Sequence, residues 1–533
     1  MEENLLFQDV MIENPILRGF HPDPTIIRIG EDYYIATSTF EWWPGVCIYH
    51  SRDLKNWTFH SHPLNRNSQL DLTGVQDGGG VWAPCLTYDG KAIYLVYTNV
   101  RERGPMMQTE NYLVTAEDIN GEWSEPVYLN SLGFDPSLFH DKNGTKWLLS
   151  LDNHYRENQR FNGLHIQEYD PIRKKLVGEL YKLYTEPHGE LVEGSHLYQF
   201  HGMYYLLKAQ GGTGVRHSAQ LSRSKGLLGP WEECPFILLH SRDNPDLPLQ
   251  KAGHADLVET PNGELYMVHL ASRYSCGEQV SIFGRETAIQ KVEWTEEGWL
   301  RLSQGGENPH VQVPAPQGVK LQEYDEKSEF YDFKSGKTGT DFQSLRKPLD
   351  DAVRFTENGL CLRGRDGLNS RYNQSLLARR IDSSAITVTT KLRFEPEWEK
   401  HMAGLVFIYD TGHWHYLYVS RSNTAGKKEI NILTCDNRKM SYPLQHPVEI
   451  SENHPVELRG SVSGAWLQFS YNDGGGFHNA GKSLNINILT DEHVPLGFTG
   501  AMVGICCQDL FRKEKCAEFE WFHYAKEINE NKL

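Results

Sequence analysis

The chain has 533 residues, with 53 Lys+Arg against 70 Asp+Glu and a formal net charge of −17. That length exceeds one ordinary core and points to two domains. The acidic balance argues against a nucleic-acid or anionic-membrane partner, and no run approaches the ~20 apolar residues of a membrane span.

Five segments repeat one pattern, with starts roughly 50–60 residues apart, the period of propeller blades. In chain order they are Asp23-Pro-Thr-Ile-Ile-Arg, Ala83-Pro-Cys-Leu-Thr-Tyr, Asp135-Pro-Ser-Leu-Phe-His, Glu193-Gly-Ser-His-Leu-Tyr and Gly253-His-Ala-Asp-Leu-Val. Each is a short apolar strand followed by a turn and an aromatic-rich strand, a hairpin signature. Several units add a polar turn ending in tryptophan, at Trp57, Trp123 and Trp231, which fits packing between blades. Helical periodicity is weak throughout.

The repeats span 14–310. The Pro-rich stretch from Val311 to Lys320 reads as a linker or stiff crossover. Beyond it, strands such as Ala385-Ile-Thr-Val-Thr-Thr-Lys-Leu-Arg-Phe and Trp414-His-Tyr-Leu-Tyr-Val have sandwich-like spacing, giving a second domain over 325–533. The fold class is therefore all-β: a five-bladed β-propeller followed by a β-sandwich.

The first strand of each propeller blade lines the central channel. The leading residues of the repeats should therefore meet, bringing Asp23, Asp135 and Glu193 together in one register. Three carboxylates at one pocket suggest acid/base chemistry on a neutral, polyhydroxylated substrate. Asp23, between Pro22 and Pro24, is held rigidly, as a general base requires. Glu193, flanked by Leu191 and Val192, is placed for a raised pKa. His254 is a candidate beneath the sugar, Arg285 a planar clamp, and Phe40 and Trp82 candidate apolar walls. Each has a plainer reading alone, such as an Asp-Pro turn, a strand-end Glu, a structural His, an inter-blade ion pair or core packing. For the carboxylates, recurrence in register outweighs it.

Phe20-His-Pro-Asp-Pro, Ser38-Thr-Phe-Glu-Trp, Val81-Trp-Ala-Pro, Gly133-Phe-Asp-Pro, Glu193-Gly-Ser-His, Gly211-Gly-Thr, Ala252-Gly-His-Ala and Gly284-Arg-Glu-Thr-Ala, in this order, resemble the β-xylosidases of glycoside hydrolase family 43. The resemblance extends through Phe342-Gln-Ser-Leu-Arg, Leu377-Ala-Arg-Arg and Phe498-Thr-Gly-Ala, and refines the sandwich to a concanavalin-like jelly roll. It implies inverting hydrolysis, with Asp23 as general base, Glu193 as general acid and Asp135 tuning the acid. It also implies a sugar pocket shaped by Phe40, Trp82, Thr213, His254, Arg285 and, from the second domain, Phe498.

The implied substrates are xylooligosaccharides or arabinose-substituted oligosaccharides, cut from the non-reducing end. α-L-Arabinofuranosidase activity is the main alternative, and a non-catalytic carbohydrate-binding propeller is the alternative of another class. A retaining β-fructosidase would carry Asn-Asp-Pro-Asn, Arg-Asp-Pro and Glu-Cys, where His-Pro-Asp-Pro, Phe-Asp-Pro and Glu-Gly stand here. No cofactor is required by this chemistry. The one cation the resemblance offers is calcium on the propeller axis, held through water beside His254. A homo-oligomer is compatible with this reading. The nine cysteines are scattered without a Cys-x-x-Cys pair, and the start MEENLLFQDV lacks a signal-like region, so a reducing cytoplasm is expected. Three departures stand out: Ser195 where the family carries proline, Cys85 after Trp-Ala-Pro, and a short loop between His269 and Arg285.

Overall fold

The computed structural model describes residues 10–153, 161–186, 190–275, 279–321, 329–495 and 497–527. Apart from three short 3₁₀ turns, its regular elements are strands. The first blade orders Thr25–Ile29, Asp32–Thr37, Cys47–Ser51 and Thr58–Ser61 from the axis outward, and four further antiparallel sheets repeat that meander. Their innermost strands are Cys85–Tyr88, Ser137–His140, Val192–Phe200 and Gln250–Glu259.

Apolar residues on both faces of each blade pack against the neighbouring blades. The tryptophans of the polar turns sit in these seams. Trp57 packs with Tyr266 and Val268 of the fifth blade, Trp123 with residues of the first two, and Trp231 donates from its indole to Leu183 O at 2.9 Å. Closure of the ring uses the segment expected to be a crossover. Gln312–Pro314 pairs antiparallel with Met11–Glu13, and the Asn14 side chain bonds Ile289 and His310. The β-rich character of Val-x-Val beside proline outweighs the linker reading, because proline is tolerated at a strand edge.

The second domain is a sandwich of a nine-stranded and a seven-stranded sheet. Between them lies one continuous core that includes Phe333, Phe407, Phe469, Phe519 and Phe522. The outer face of the seven-stranded sheet is also apolar. Trp414, Tyr416, Met502 and Cys506 pack there with Phe20, Phe40 and Trp42 of the propeller. Ser344–Leu345 pairs with Trp42–Trp43, and Arg380 Nε donates to Phe20 O at 2.5 Å. The domain interface is therefore built like a core, and its edge is where the pocket lies. Among the described residues the eight cysteines are free; Cys276 lies outside them.

Candidate active site

The side chains reach the pocket through an irregularity at the upper end of the innermost strands. In the first blade Thr25 pairs with Ala36, but Ser38 N donates to Pro22 O at 3.2 Å, so Asp23 is one residue in excess. The same happens in the third blade, where Ser137 pairs with Leu149 but Leu151 N reaches Phe134 O, leaving Asp135 extra. In the fourth and fifth blades the register slips between Glu193 and His196 and between Gly253 and Ala255. The extra residues are left-handed: Asp23 (φ 55°), Asp135 (φ 51°), Gly194 (φ 53°) and His254 (φ 47°).

Such bulges re-aim a side chain out of the ladder, and a non-glycine residue in this conformation costs roughly 1–2 kcal/mol. They also correct the sequence register. His254, not Gly253, is the equivalent of Asp23 and Asp135, and Glu193 stands one residue ahead of that position. Gly194 is required at the fourth bulge, since a Cβ there would lie 2.6 Å from the His254 ring.

Asp23 is held from two sides. Ser38 Oγ donates to its Oδ2 at 2.7 Å, and Arg285 Nη1 to its Oδ1 at 2.8 Å. The other Arg285 nitrogen, Nη2, donates to Phe498 O at 2.9 Å, so one guanidinium joins the carboxylate to the sandwich. Asp135 Oδ2 accepts from Gly194 N at 3.1 Å, tying it to the residue beside Glu193. Phe498 stacks on Phe40 with centroids 6.5 Å apart and tilts against Trp82 at 5.8 Å. The Trp82 indole donates to Gly78 O at 3.0 Å. Phe498 comes this close because Gly284 (φ 65°) has no side chain: a Cβ would lie 1.9 Å from Thr499 O.

The structure thus brings together Asp23, Asp135, Glu193, Phe40, Trp82, His254, Arg285 and Phe498. Thr213 sits half-buried in the turn after Met203–Gln210, where Gly211 N bonds Leu191 O. It is not among the groups bonded to the carboxylates. Three contributors were not identified from sequence. Ser38 was legible as the cross-strand neighbour of Asp23 in the hairpin. Arg103, whose guanidinium lies 4.6 Å over the Phe498 ring, carried no local signal. Neither did the buried His217, whose Nδ1 meets Lys251 O at 2.9 Å.

Electrostatically, three carboxylates share one guanidinium. Burial and then the Asp23 charge push the Glu193 carboxyl up to about 7, opposed by Arg285. Its oxygens take no hydrogen bond from a described residue. Asp135 keeps part of its surface open, yet its surroundings exclude enough water to raise its pKa well above the usual range, with the Glu193 and Asp23 charges adding to this. Burial lowers His254 to about 4 and His217 to about 3, so both imidazoles are neutral at pH 7. The arrangement sets a buried carboxyl of raised pKa within the field of a carboxylate fixed by arginine and serine.

Calcium beside His254 fits the donor set poorly. It prefers six to eight oxygen ligands. The nearby carboxylate, Asp256, already accepts Thr25 Oγ1 at 2.7 Å, Ile26 N and Leu257 N at 2.8 Å, and the Tyr198 hydroxyl. An axial cavity of about 340 Å³ beyond it is lined by Ser137, His196 and Tyr198 and includes none of the three carboxylates of the pocket. No chemical step is routed through a cation here.

Comparison with known proteins gives a consistent result. The pattern of glycosyl hydrolases family 43 matches residues 12–300, and that of the β-xylosidase C-terminal concanavalin A-like domain matches 331–525. The chain is 44% identical over 527 residues to xylosidase/arabinosidase 43B of Humicola insolens, covering 96% of this chain and 97% of that protein. It is 40% identical over 536 residues to a β-xylosidase of Bacillus subtilis, covering 97% and 99%. The crystal structure of a xylan β-1,4-xylosidase from Bacillus halodurans superposes with a TM-score of 0.94 at 45% identity, covering 97% of this chain and all of that one.

Proposed function

This chain belongs to glycosyl hydrolases family 43 and is a glycosidase, and from that premise we propose that it releases β-D-xylose from the non-reducing ends of xylooligosaccharides with inversion. The observation that carries this reading is the pair Asp23 and Glu193. One is a carboxylate fixed by Arg285 and Ser38; the other is a carboxyl whose pKa is pushed up to about 7. Asp23 takes a proton from water, which attacks the anomeric carbon. Glu193 gives its proton to the departing glycosidic oxygen, and the two residues return to their starting states by exchange with solvent. Inverting pairs stand roughly 6.5–9.5 Å apart to admit that water. Asp135 holds the bulge beside the acid by accepting from Gly194 N. The aromatic wall of Phe40, Trp82 and Phe498 supports recognition of one terminal sugar and an exo mode of action.

A second activity on α-L-arabinofuranosides is favoured by the similarity to a relative described as a xylosidase/arabinosidase. Burial of Asp23 and Glu193, with the half-buried Asp135 beside them, speaks against a purely binding propeller. A cytoplasmic enzyme acting on imported oligosaccharides is the setting we propose. The test is twofold. Nitrophenol release from p-nitrophenyl β-D-xylopyranoside and α-L-arabinofuranoside ranks the substrates. Proton NMR of early xyloside hydrolysis should show α-xylose first; initial β-xylose would remove Asp23 from the role of base.

A further inference from the structure

A second cluster of chemistry-bearing side chains lies in the sandwich, apart from the carboxylate pocket. His413 opens the strand His413–Arg421, Asp436 ends the strand Lys428–Asp436, and His493 lies on the loop that leads to Phe498. Each offers one ligand atom, and the three atoms lie within 4.8 Å of one another. Asp436 Oδ1 is 2.8 Å from His493 Nε2 and 4.0 Å from His413 Nε2.

The buried His413 is the telling member. Its Nδ1 lies 2.8 Å from Asp410 Oδ1, a carboxylate oxygen that also accepts Gly412 N at 2.7 Å. A carboxylate only accepts, so Nδ1 carries the proton and donates it. In the neutral ring that leaves a lone pair on Nε2. This atom is buried, has no hydrogen-bond partner, and faces the oxygen of Asp436. A lone pair opposed to a carboxylate oxygen is repulsive unless a positive centre stands between them. A carboxylate orienting an imidazole whose far nitrogen is free is also the usual outer support of a metal-bound histidine. Arg438, next but one after Asp436, does not supply the charge, because its Nη2 bonds Asp77 Oδ2 and Thr411 Oγ1, both at 3.1 Å.

We propose that His413, Asp436 and His493 form a binding site for a divalent transition-metal ion of the zinc class, with Asp410 as the positioning carboxylate. Two imidazoles and one carboxylate are a nitrogen-rich set that suits zinc over calcium or magnesium. Bonds of about 2.0–2.2 Å in a tetrahedron place ligand atoms roughly 3.4 Å apart, and the distances of 2.8 and 4.0 Å bracket that value. His413 is buried, Asp436 half-buried and His493 exposed, so the fourth position opens to water. The ion would clamp the loop at its third point. Asp491 already accepts from the Tyr409 hydroxyl, and Glu492 accepts from Lys251 Nζ at 2.6 Å and Ser281 N at 3.0 Å.

The test is calorimetric titration of Zn²⁺ into the chelator-treated full chain, paralleled by Co²⁺ and its visible absorption. Neither readout uses substrate, so the outcome does not depend on the proposed hydrolysis. One equivalent of Zn²⁺ is expected, with Co²⁺ bands of tetrahedral intensity. Affinity should fall at least tenfold in His493→Ala and in Asp436→Asn. His493 is exposed, so its variant keeps the test valid should Asp436→Asn fail to fold. Absence of saturable binding to the full chain overturns the proposal. So does His493→Ala binding as tightly as the parent, since the chain has 23 histidines and such binding would lie elsewhere.

Discussion

The propeller reaches the pocket with side chains set in repeated strand bulges, whereas the sandwich reaches it with one aromatic ring on a loop. The two constructions differ in what holds them. Asp23, Asp135 and His254 are fixed by left-handed backbone at bulges beside the paired stretches of the innermost strands. Phe498 is fixed by contacts at a distance. These are the Asp491 and Glu492 anchors, its own carbonyl on Arg285, and the missing Cβ of Gly284. Chemistry needs sub-ångström placement and sits on the rigid part. Recognition of one sugar tolerates a wall supplied by a second domain.

Several measurements would break or sharpen that contrast. The largest effect is expected on the propeller side. Asp23→Asn should lower kcat by at least the ~10²–10⁴-fold typical of general acid–base groups on any substrate. Glu193→Ala should do so on xylobiose but retain far more activity on 2,4-dinitrophenyl β-xyloside, whose leaving group needs little protonation. Equal losses on both substrates would make Glu193 a positioning residue instead.

Next comes Gly194→Ala, which tests the bulge itself. The new Cβ meets the His254 ring, and left-handed alanine costs about 1–2 kcal/mol. A fall in melting temperature of several degrees, together with a loss in kcat, is expected. Unchanged kcat would show that the bulge does not set the geometry of Glu193.

Phe498→Ala should raise KM about tenfold or more while changing kcat less, because about 1.5–3 kcal/mol of apolar contact with the bound sugar is at stake and no reacting group is touched. An equal fall in kcat would mean that the ring orients Arg285 as well. Ser38→Ala should be milder, of order 1 kcal/mol in kcat/KM, the net worth of one hydrogen bond to Asp23.

The pH profile supplies the finest test. Glu193 must be protonated to act, so kcat/KM should fall above about pH 7, about tenfold per unit once the acid is titrated. Stability carries the same signature with its own signs. The raised pKa of Glu193 contributes stability that is complete below its ordinary 4.5 and is lost as pH rises through about 7. The lowered pKa of His254 contributes above 6.5 and is lost as pH falls through about 4. The two contributions oppose each other between about pH 4.5 and 6.5, so melting temperature should rise more steeply with pH in that window in Glu193→Gln, which loses the falling contribution and keeps the rising one.

Much of this molecule was legible in one dimension. A 50–60-residue period with Asp-Pro, Asp-Pro and Glu-Gly at the strand starts is enough to infer blades and to bring three carboxylates to one axis. This works because a strand's first residue and the blade's place around the axis are both local consequences of the repeat. The same logic explains the tryptophans of the turns, which pack wherever a blade meets its neighbour.

What the repeat leaves open is anything decided by one residue in excess or by partners hundreds of positions apart. Whether the residue facing the axis is Gly253 or His254 turns on a bulge, which depends on how each strand end meets its neighbour. That Gln312–Pro314 closes the ring onto Met11–Glu13 instead of crossing over depends on a free strand edge. The reach of Arg285 to both Asp23 and Phe498 exists only once two domains have folded against each other, and the meeting of His413 with His493 only once the sandwich itself has folded. Local pattern therefore determines the blades and the kinds of residues at their ends. The distances and charges that turn those residues into an acid, a base and a wall come from tertiary packing, because burial and Coulomb interaction depend on separation in space and not along the chain.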